Sequence, residues 1–89
     1  MDARLVNAFQ IKARVGKKLV SAREVVGAIK RLPRMCEHRP YLDCVTDYAL
    51  VQRMTREFAE LAGQPGLEDL DAFVNTACSL NPDWEECQL

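Results

Sequence analysis

The stretch YLDCVTDYALVQRMTREFAELA, residues 41–62, decides the fold, because it is the longest run of the chain with one unbroken helical period. Apolar residues recur three or four positions apart along it, which places them on one face of an α-helix. They are Tyr41, Cys44, Tyr48, Val51, Met54, Phe58 and Leu61, with Leu42, Val45 and Ala49 as a second row. Pro40 before the stretch and Gly63 after it are typical of a helix start and a helix end. The stretch therefore predicts a long helix that needs cover on more than one side.

A shorter helix is predicted before this one, over residues 21–32. Ser21 and Glu24 match the S-x-x-E pattern of a capping box, in which each side chain satisfies a backbone N–H of the first turn. Pro33 is expected to end this helix, because proline has no N–H to donate and its ring clashes with the preceding turn.

Two further helical segments are predicted after the long helix. Residues 67–80 follow the turn GQPG and carry acidic residues in their first turns, where the helix dipole favours negative charge. Asn81 and Pro82 then resemble an N-cap and a first helical position, so a final turn is expected in the last residues.

Residues 2–15 fit either a helix or a strand. Val6, Phe9 and Ala13 have helical spacing. An alternating pattern that could turn at Gly16 fits equally well, with one side formed by Phe9, Ile11, Ala13 and Val15. Helix is favoured, because an isolated two-stranded hairpin is only marginally stable. The predicted fold is all-α, one domain over residues 1–89 built as a small bundle of about four helices with a C-terminal helical turn. The alternative is α+β with an N-terminal β-hairpin at residues 8–20.

Length and composition exclude several classes of protein. With 89 residues, 48% of them hydrophobic and 28% charged, the chain resembles a single soluble domain with a small core. No apolar run approaches the roughly 20 residues needed to cross a bilayer, and the N-terminus lacks the apolar core of a signal peptide. A cytoplasmic location without a membrane partner is expected.

Charge is divided unequally along the chain. Residues 1–39 hold ten basic and three acidic residues, a net charge of +7, whereas residues 40–89 hold two basic and ten acidic residues, a net charge of −8. The two parts can form separate functional faces, or they can be neutralised within the fold or across a dimer. The second explanation is favoured.

Cys36, Cys44, Cys78 and Cys87 are expected to be reduced in a cytoplasmic protein. If the protein is oxidised, the expected bonds are Cys36–Cys44 and Cys78–Cys87. Cys36, His38 and Cys44 could supply three zinc ligands, with Cys78 or Cys87 as the fourth, but paired C-x₂₋₄-C spacing is absent from the sequence. No metal and no cofactor are expected.

Catalytic motifs are absent from the sequence, which has one histidine and no glycine-rich phosphate loop, so an enzyme is not expected. The predicted function is a small non-catalytic protein–protein interaction module, a regulator or inhibitor of a larger protein partner. The alternative is a nucleic-acid-binding regulatory protein that uses the basic N-terminal region. The candidate partner-binding residues are Lys17, Lys18, Arg31, Arg34, Arg39, Val51 and Phe58.

A homodimer built on residues 41–62 is also predicted, because two adjacent apolar rows exceed what short neighbouring helices can cover. Val51 and Phe58 are the candidate contacts between the two copies. The alternative interpretation is that both residues belong to the core of one copy.

Overall fold

The computed structural model describes residues 3–37 and 41–88, and their side chains from residue 6 to 32 and from 45 to 88. Helices make up most of this part of the chain, together with one two-stranded hairpin. The elements are α1 (Ala3–Ala8), β1 (Lys12–Val15), β2 (Lys18–Ser21), α2 (Ala22–Glu37), α3 (Tyr41–Ala62), a first 3₁₀ turn (Pro65–Glu68), α4 (Leu70–Leu80) and a C-terminal 3₁₀ turn (Glu85–Gln88). The predicted helical character is confirmed, and the hairpin of the alternative prediction is present as well.

The hairpin replaces the second half of the N-terminal helix that the sequence favoured. β1 and β2 pair antiparallel, with Ala13 opposite Val20, around a two-residue turn in which Gly16 has a φ of 65°. Lys17 does not share that positive φ, so the turn is of the type that needs glycine only at its first central position. Ala13, Val15 and Val20 are buried, and the strands contact α3 and α2. This cover from the helices is what stabilises the short hairpin.

α2 begins as predicted and ends later than predicted. The Ser21 hydroxyl accepts a hydrogen bond from the Glu24 backbone N–H at 3.2 Å and donates one to the Glu24 carboxylate at 3.3 Å. The prediction that Pro33 ends the helix is wrong, because α2 continues to Glu37. Ile29 and Leu32 are buried in the turn before the proline, and their packing holds the helix in place despite the lost backbone hydrogen bond.

α3 has the predicted bounds, and its buried face matches the predicted stripe only in part, because Val51 and Phe58 are buried but Tyr48 and Leu61 are exposed. The helix ends where Gly63, with a φ of 67°, and Gln64 donate hydrogen bonds to the carbonyls of Glu60 and Ala59, the pattern of a glycine C-cap. Its buried side chains are Val51, Thr55, Phe58, Ala59 and Ala62. Residues 45–50 of the same helix are exposed or only partly buried.

Three phenylalanine rings from different parts of the chain meet at the centre of the core. The Phe58 and Phe73 centroids lie 5.8 Å apart with the rings edge to face, and Phe9 lies 5.3 Å from Phe73 and 6.5 Å from Phe58. The residue after α1 is thereby joined to α3 and α4. The buried Thr55 hydroxyl lies within hydrogen-bonding distance of the carbonyls of Gln52 (2.8 Å) and Glu68 (3.2 Å), so α3 is also tied to the first 3₁₀ turn.

The chain after α3 is helical as predicted, with shifted boundaries. The predicted helix over residues 67–80 is divided at Asp69, whose extended backbone separates the first 3₁₀ turn from α4. The Asp69 carboxylate caps α4 by accepting a hydrogen bond from the backbone N–H of Ala72. Asn81 is the C-cap of α4 rather than the N-cap of a last helix, and the C-terminal 3₁₀ turn starts only at Glu85. An N-cap can form only where a new helix follows directly, and here a turn intervenes.

A disulfide joins Cys78 on α4 to Cys87 in the C-terminal 3₁₀ turn, with the Cα atoms 5.6 Å apart. The prediction of reduced thiols is wrong for this pair, and the bond considered as its alternative is present. The backbone N–H of Trp84 donates a hydrogen bond to the Asn81 carbonyl and turns the chain back. The Trp84 side chain packs against the core, and Cys87 thereby lies alongside α4. The predicted Cys36–Cys44 bond lies outside the described side chains.

Candidate functional site

Two surface features of the described residues have the shape and chemistry of binding sites. The first, here called the basic groove, has a volume of about 530 Å³ and lies between β2, α2 and the C-terminal 3₁₀ turn. Its cationic side chains come from Lys18, Arg23 and Arg31. The second, here called the α3 face, is apolar and lies on the N-terminal half of the long helix.

The basic groove follows from the spacing of residues along α2. Arg23, Gly27 and Arg31 stand four positions apart, and residues at this spacing lie on one side of a helix. A Cβ atom built on Gly27 would lie 3.2 Å from Cγ of Glu86 and 3.6 Å from Nη2 of Arg31. The glycine thus leaves a gap between two arginines, and a carboxylic acid side chain fills it.

Glu86 enters this groove from the other end of the sequence. Its Oε2 atom lies 2.6 Å from Nε of Arg23, in an ion pair between residues 63 positions apart. A backbone hydrogen bond and the Arg23 guanidinium hold the pKa of the Glu86 carboxyl below its ordinary value, and the more distant charge of Arg31 acts in the same direction. The pair joins one residue of the basic part to one residue of the acidic part within one molecule.

The Arg23–Glu86 pair gives a pH prediction. Because the folded-state pKa of Glu86 is lowered, its contribution to stability is fully present above the unfolded-state value of about 4.3 and is lost as the pH falls through the folded-state pKa. The titration midpoint of the Glu86 side-chain carboxyl ¹³C resonance is expected to lie at a lower pH in the unmodified protein than in Arg23→Gln, which lacks the guanidinium. The same midpoint in both proteins would contradict the pairing.

The α3 face consists of Val45, Tyr48 and Ala49 with the side chain of Gln52. Val45 and Tyr48 keep 42% and 45% of their surface exposed, although their side chains are apolar or aromatic. Both residues belong to the two apolar rows of the long helix that the sequence predicts to be covered by other parts of the protein. The segment of α3 from residue 45 to 52 therefore presents an apolar surface that the other described parts of the chain leave about half exposed.

A shallow groove of about 310 Å³ continues from the α3 face, with Tyr48 and Gln52 common to both. Ile29, Leu32 and Leu70 supply its apolar wall. Three acidic residues also line it: Glu68, Asp69 and Asp71. Arg56 pairs with Glu68 at 3.7 Å and offsets one of these charges, so the surface as a whole is apolar with an acidic border.

The structure brings together only some of the predicted partner-binding residues. Lys18 and Arg31 line the basic groove, and Lys17 is exposed in the hairpin turn without lining it. Val51 and Phe58 keep 4% and 0% of their surface exposed, so they belong to the core of one copy, the alternative that the sequence left open. The side chain of Arg34 and the whole of Arg39 lie outside the described residues.

Sequence reasoning did not identify Gly27 and Glu86 as site residues. The four-residue spacing of Arg23, Gly27 and Arg31 within a predicted helix was an available signal for the first. Glu86 carried no signal, because its position depends on the turn after α4 and not on any local pattern. Tyr48 was assigned to the buried stripe, since periodicity shows which residues share a face and not whether that face is covered.

Among the residues that the structure describes, no group of three or more His, Cys, Asp and Glu side chains could hold a metal ion. Cys78 and Cys87 are bonded to each other, so neither is a thiolate that could complete a zinc site. Cys36, His38 and Cys44 have no described side chains. In the same described ranges, no helix is long and apolar enough to span a membrane.

The chain was compared with models of known protein families, with curated proteins and with solved structures, and none of them matches it.

Proposed function

We propose that this chain is a small non-catalytic protein–protein interaction module, a regulator or inhibitor that binds a larger protein through the α3 face. The observation that supports this proposal is the exposure of Val45 and Tyr48 side by side on one helix. Contiguous apolar surface on a small domain is typical of an interaction site, because isolated exposed apolar residues are common but clusters of them are not.

The acidic border of the neighbouring groove favours one kind of occupant. An amphipathic helix of the partner could place apolar side chains over Tyr48 and against Leu70, and basic side chains next to Glu68 and Asp71. Recognition of an amphipathic helix in an apolar groove is a common mode of protein binding. We therefore infer a partner segment that is helical, amphipathic and basic.

Two other partners were predicted from the sequence, a second copy of the chain and nucleic acid. A second copy could cover the α3 face, but the contact would involve Val45 and Tyr48 rather than the buried Val51 and Phe58. Nucleic acid is less well supported, because the carboxylates of Glu24 and Glu86 line the same groove as the arginines. A protein partner fits both surfaces better.

The predicted cytoplasmic location stays a prediction. The Cys78–Cys87 bond favours an oxidising compartment instead, since glutathione and thioredoxin keep most cytosolic thiols reduced.

Photo-cross-linking tests the proposed interaction. Replacing the exposed Tyr48 by p-benzoylphenylalanine, an aromatic side chain that extends from the same ring position, leaves the core untouched. On irradiation in the source cells we expect a covalent adduct with one protein, and we expect the joined peptide to be amphipathic and basic. The yield of the adduct should fall when Asp71→Lys is added, because the new lysine repels a basic segment.

The matched control places the same amino acid at Leu19, which is 55% exposed on the hairpin. Equal labelling at both positions, or none at Tyr48, would refute the proposal. An adduct of twice the chain mass would instead assign the α3 face to a homodimer, and an adduct with nucleic acid would favour the alternative function.

A further inference from the structure

The basic groove contains a carboxylate that belongs to the chain itself. Glu86 lies over the gap at Gly27, bound to Arg23, with Arg31 one helical turn further along. Arginine is well suited to this role, since its planar guanidinium can donate two parallel hydrogen bonds to one carboxylate. The arrangement resembles an anion-binding site in which one carboxylate, that of Glu86, comes from the chain itself.

We infer that the basic groove binds an acidic segment of a protein, and that Glu86 occupies the place of one of that segment's carboxylates until it is displaced. The inference does not depend on the α3 face, which lies on other residues and takes a partner of opposite charge.

The groove has capacity for more than Glu86. Within the described part of the chain, neither Lys18 nor Arg31 has an ion-pair partner within 4 Å, although both line the same space. Two cationic groups thus remain for further carboxylates. Val20, Ala28 and Met54 form an apolar wall beside them, which suits an acidic segment with apolar residues between its charges.

Glu86 is held weakly enough to be displaced. Arg23 keeps 49% of its side-chain surface exposed, and ion pairs in contact with solvent contribute little because water and salt screen them. Glu86 competes with an added ligand mainly because it is close to the groove. The neighbouring Cys87 is bonded to Cys78, so the Glu86 carboxylate stays there at a high effective concentration. A segment with two or more carboxylates can compete, since it also engages Lys18 and Arg31.

The proposed ligand is a protein segment rather than a nucleic acid. The Glu24 carboxylate, hydrogen-bonded to Ser21, stays on the groove wall when Glu86 leaves. A continuous phosphate backbone would have to pass this charge, whereas a peptide can place an apolar residue there.

The experiment is a titration of the whole protein with an acetylated peptide of alternating glutamate and leucine, followed by the amide resonance of Gly27 and the Nε–H resonance of Arg23. We expect binding that weakens with salt. Glu86→Gln should bind the peptide up to about fivefold more tightly, the most that loss of a competing surface ion pair gives. Arg31→Gln should bind it several-fold more weakly.

Glu85→Gln is the matched control, because it removes the same charge from the adjacent exposed residue, and its affinity should equal that of the unmodified protein. Tyr48→Arg should also leave the affinity unchanged, which separates this site from the proposed function. Circular dichroism and thermal melting confirm that each variant is folded. Equal or weaker binding by Glu86→Gln would overturn the inference, as would tighter binding of an oligonucleotide with the same number of charges.

Discussion

Replacing Phe58 by alanine is expected to lower the free energy of unfolding by about 3–5 kcal/mol, the range for removing a large aromatic side chain from a packed core. Phe58 is fully buried and contacts both Phe9 and Phe73, so the cavity would open where three segments of the chain meet. Small domains are stable by only about 5–15 kcal/mol, and much of the margin would be lost. Urea denaturation followed by circular dichroism measures the change.

The matched control is Tyr48→Ala on the same helix, which removes an exposed ring and should change stability by about 0.5 kcal/mol or less. This pair of variants also separates the two predicted roles of Phe58. A stable Phe58→Ala protein with reduced self-association would restore the residue as a dimer contact and would contradict its place in the core.

Removing the Cys78–Cys87 bond is the second large change. The bond closes a short loop, because its cysteines are nine positions apart, and the chain-entropy relation gives about 2–3 kcal/mol for a loop of this size. We expect the double variant Cys78→Ala/Cys87→Ala to unfold at correspondingly lower urea concentration than the oxidised protein. Cys36 and Cys44 stay unchanged in both proteins, so they contribute equally to both measurements.

The control for this second prediction is the single variant Cys87→Ala, which lacks the bond but keeps Cys78 packed against the core. It should be nearly as destabilised as the double variant. If both variants match the oxidised protein in stability, the bond contributes nothing to folding. Intact-mass measurement after thiol labelling shows independently whether the two sulfur atoms are bonded in the purified protein.

Local signals in the sequence were sufficient to predict a helix end where a single residue determines the backbone conformation. Gly63 ends α3 and Ser21 caps α2 as predicted, because each role depends on the chemistry of a single turn. The long helix was predictable for a related reason, since its period extends over six turns of chain. The hairpin was not decided by sequence, because its strands are short and their stability comes from α2 and α3 packed against them.

Patterns that depend on tertiary packing were predicted less well. The sequence assigned Tyr48 and Leu61 to a buried stripe, but the neighbours of α3 lie against Val51, Thr55 and Phe58 and leave the other two exposed. Periodicity contains no information about where the neighbouring elements lie along a helix. The same limit applies to Pro33, whose local preference is outweighed by the burial of the preceding turn.

The cationic residues of the basic groove were partly predictable from the sequence, but the carboxylate that pairs with them was not. Lys18 and Arg31 were identified from the excess of basic residues in the first 39 positions, and both line the basic groove. Their relation to Glu86 could not be predicted, since it requires the turn after α4 and the bond to Cys78. Charge composition indicated that the two parts of the chain could neutralise each other, but not through which pair.

The direct junction between β2 and α2 affects how the basic groove would bind. Ser21 is both the last residue of β2 and the cap of α2, so no loop separates Lys18 on the strand from Arg23 and Arg31 on the helix. The backbone positions of the three cations are therefore fixed by one continuous strand–helix unit before a ligand arrives. A preorganised site loses less conformational entropy on binding than one assembled from separate loops. For this groove the cost of binding lies in displacing Glu86 and in ordering the exposed Lys18 and Arg31 side chains, and not in ordering a loop between them.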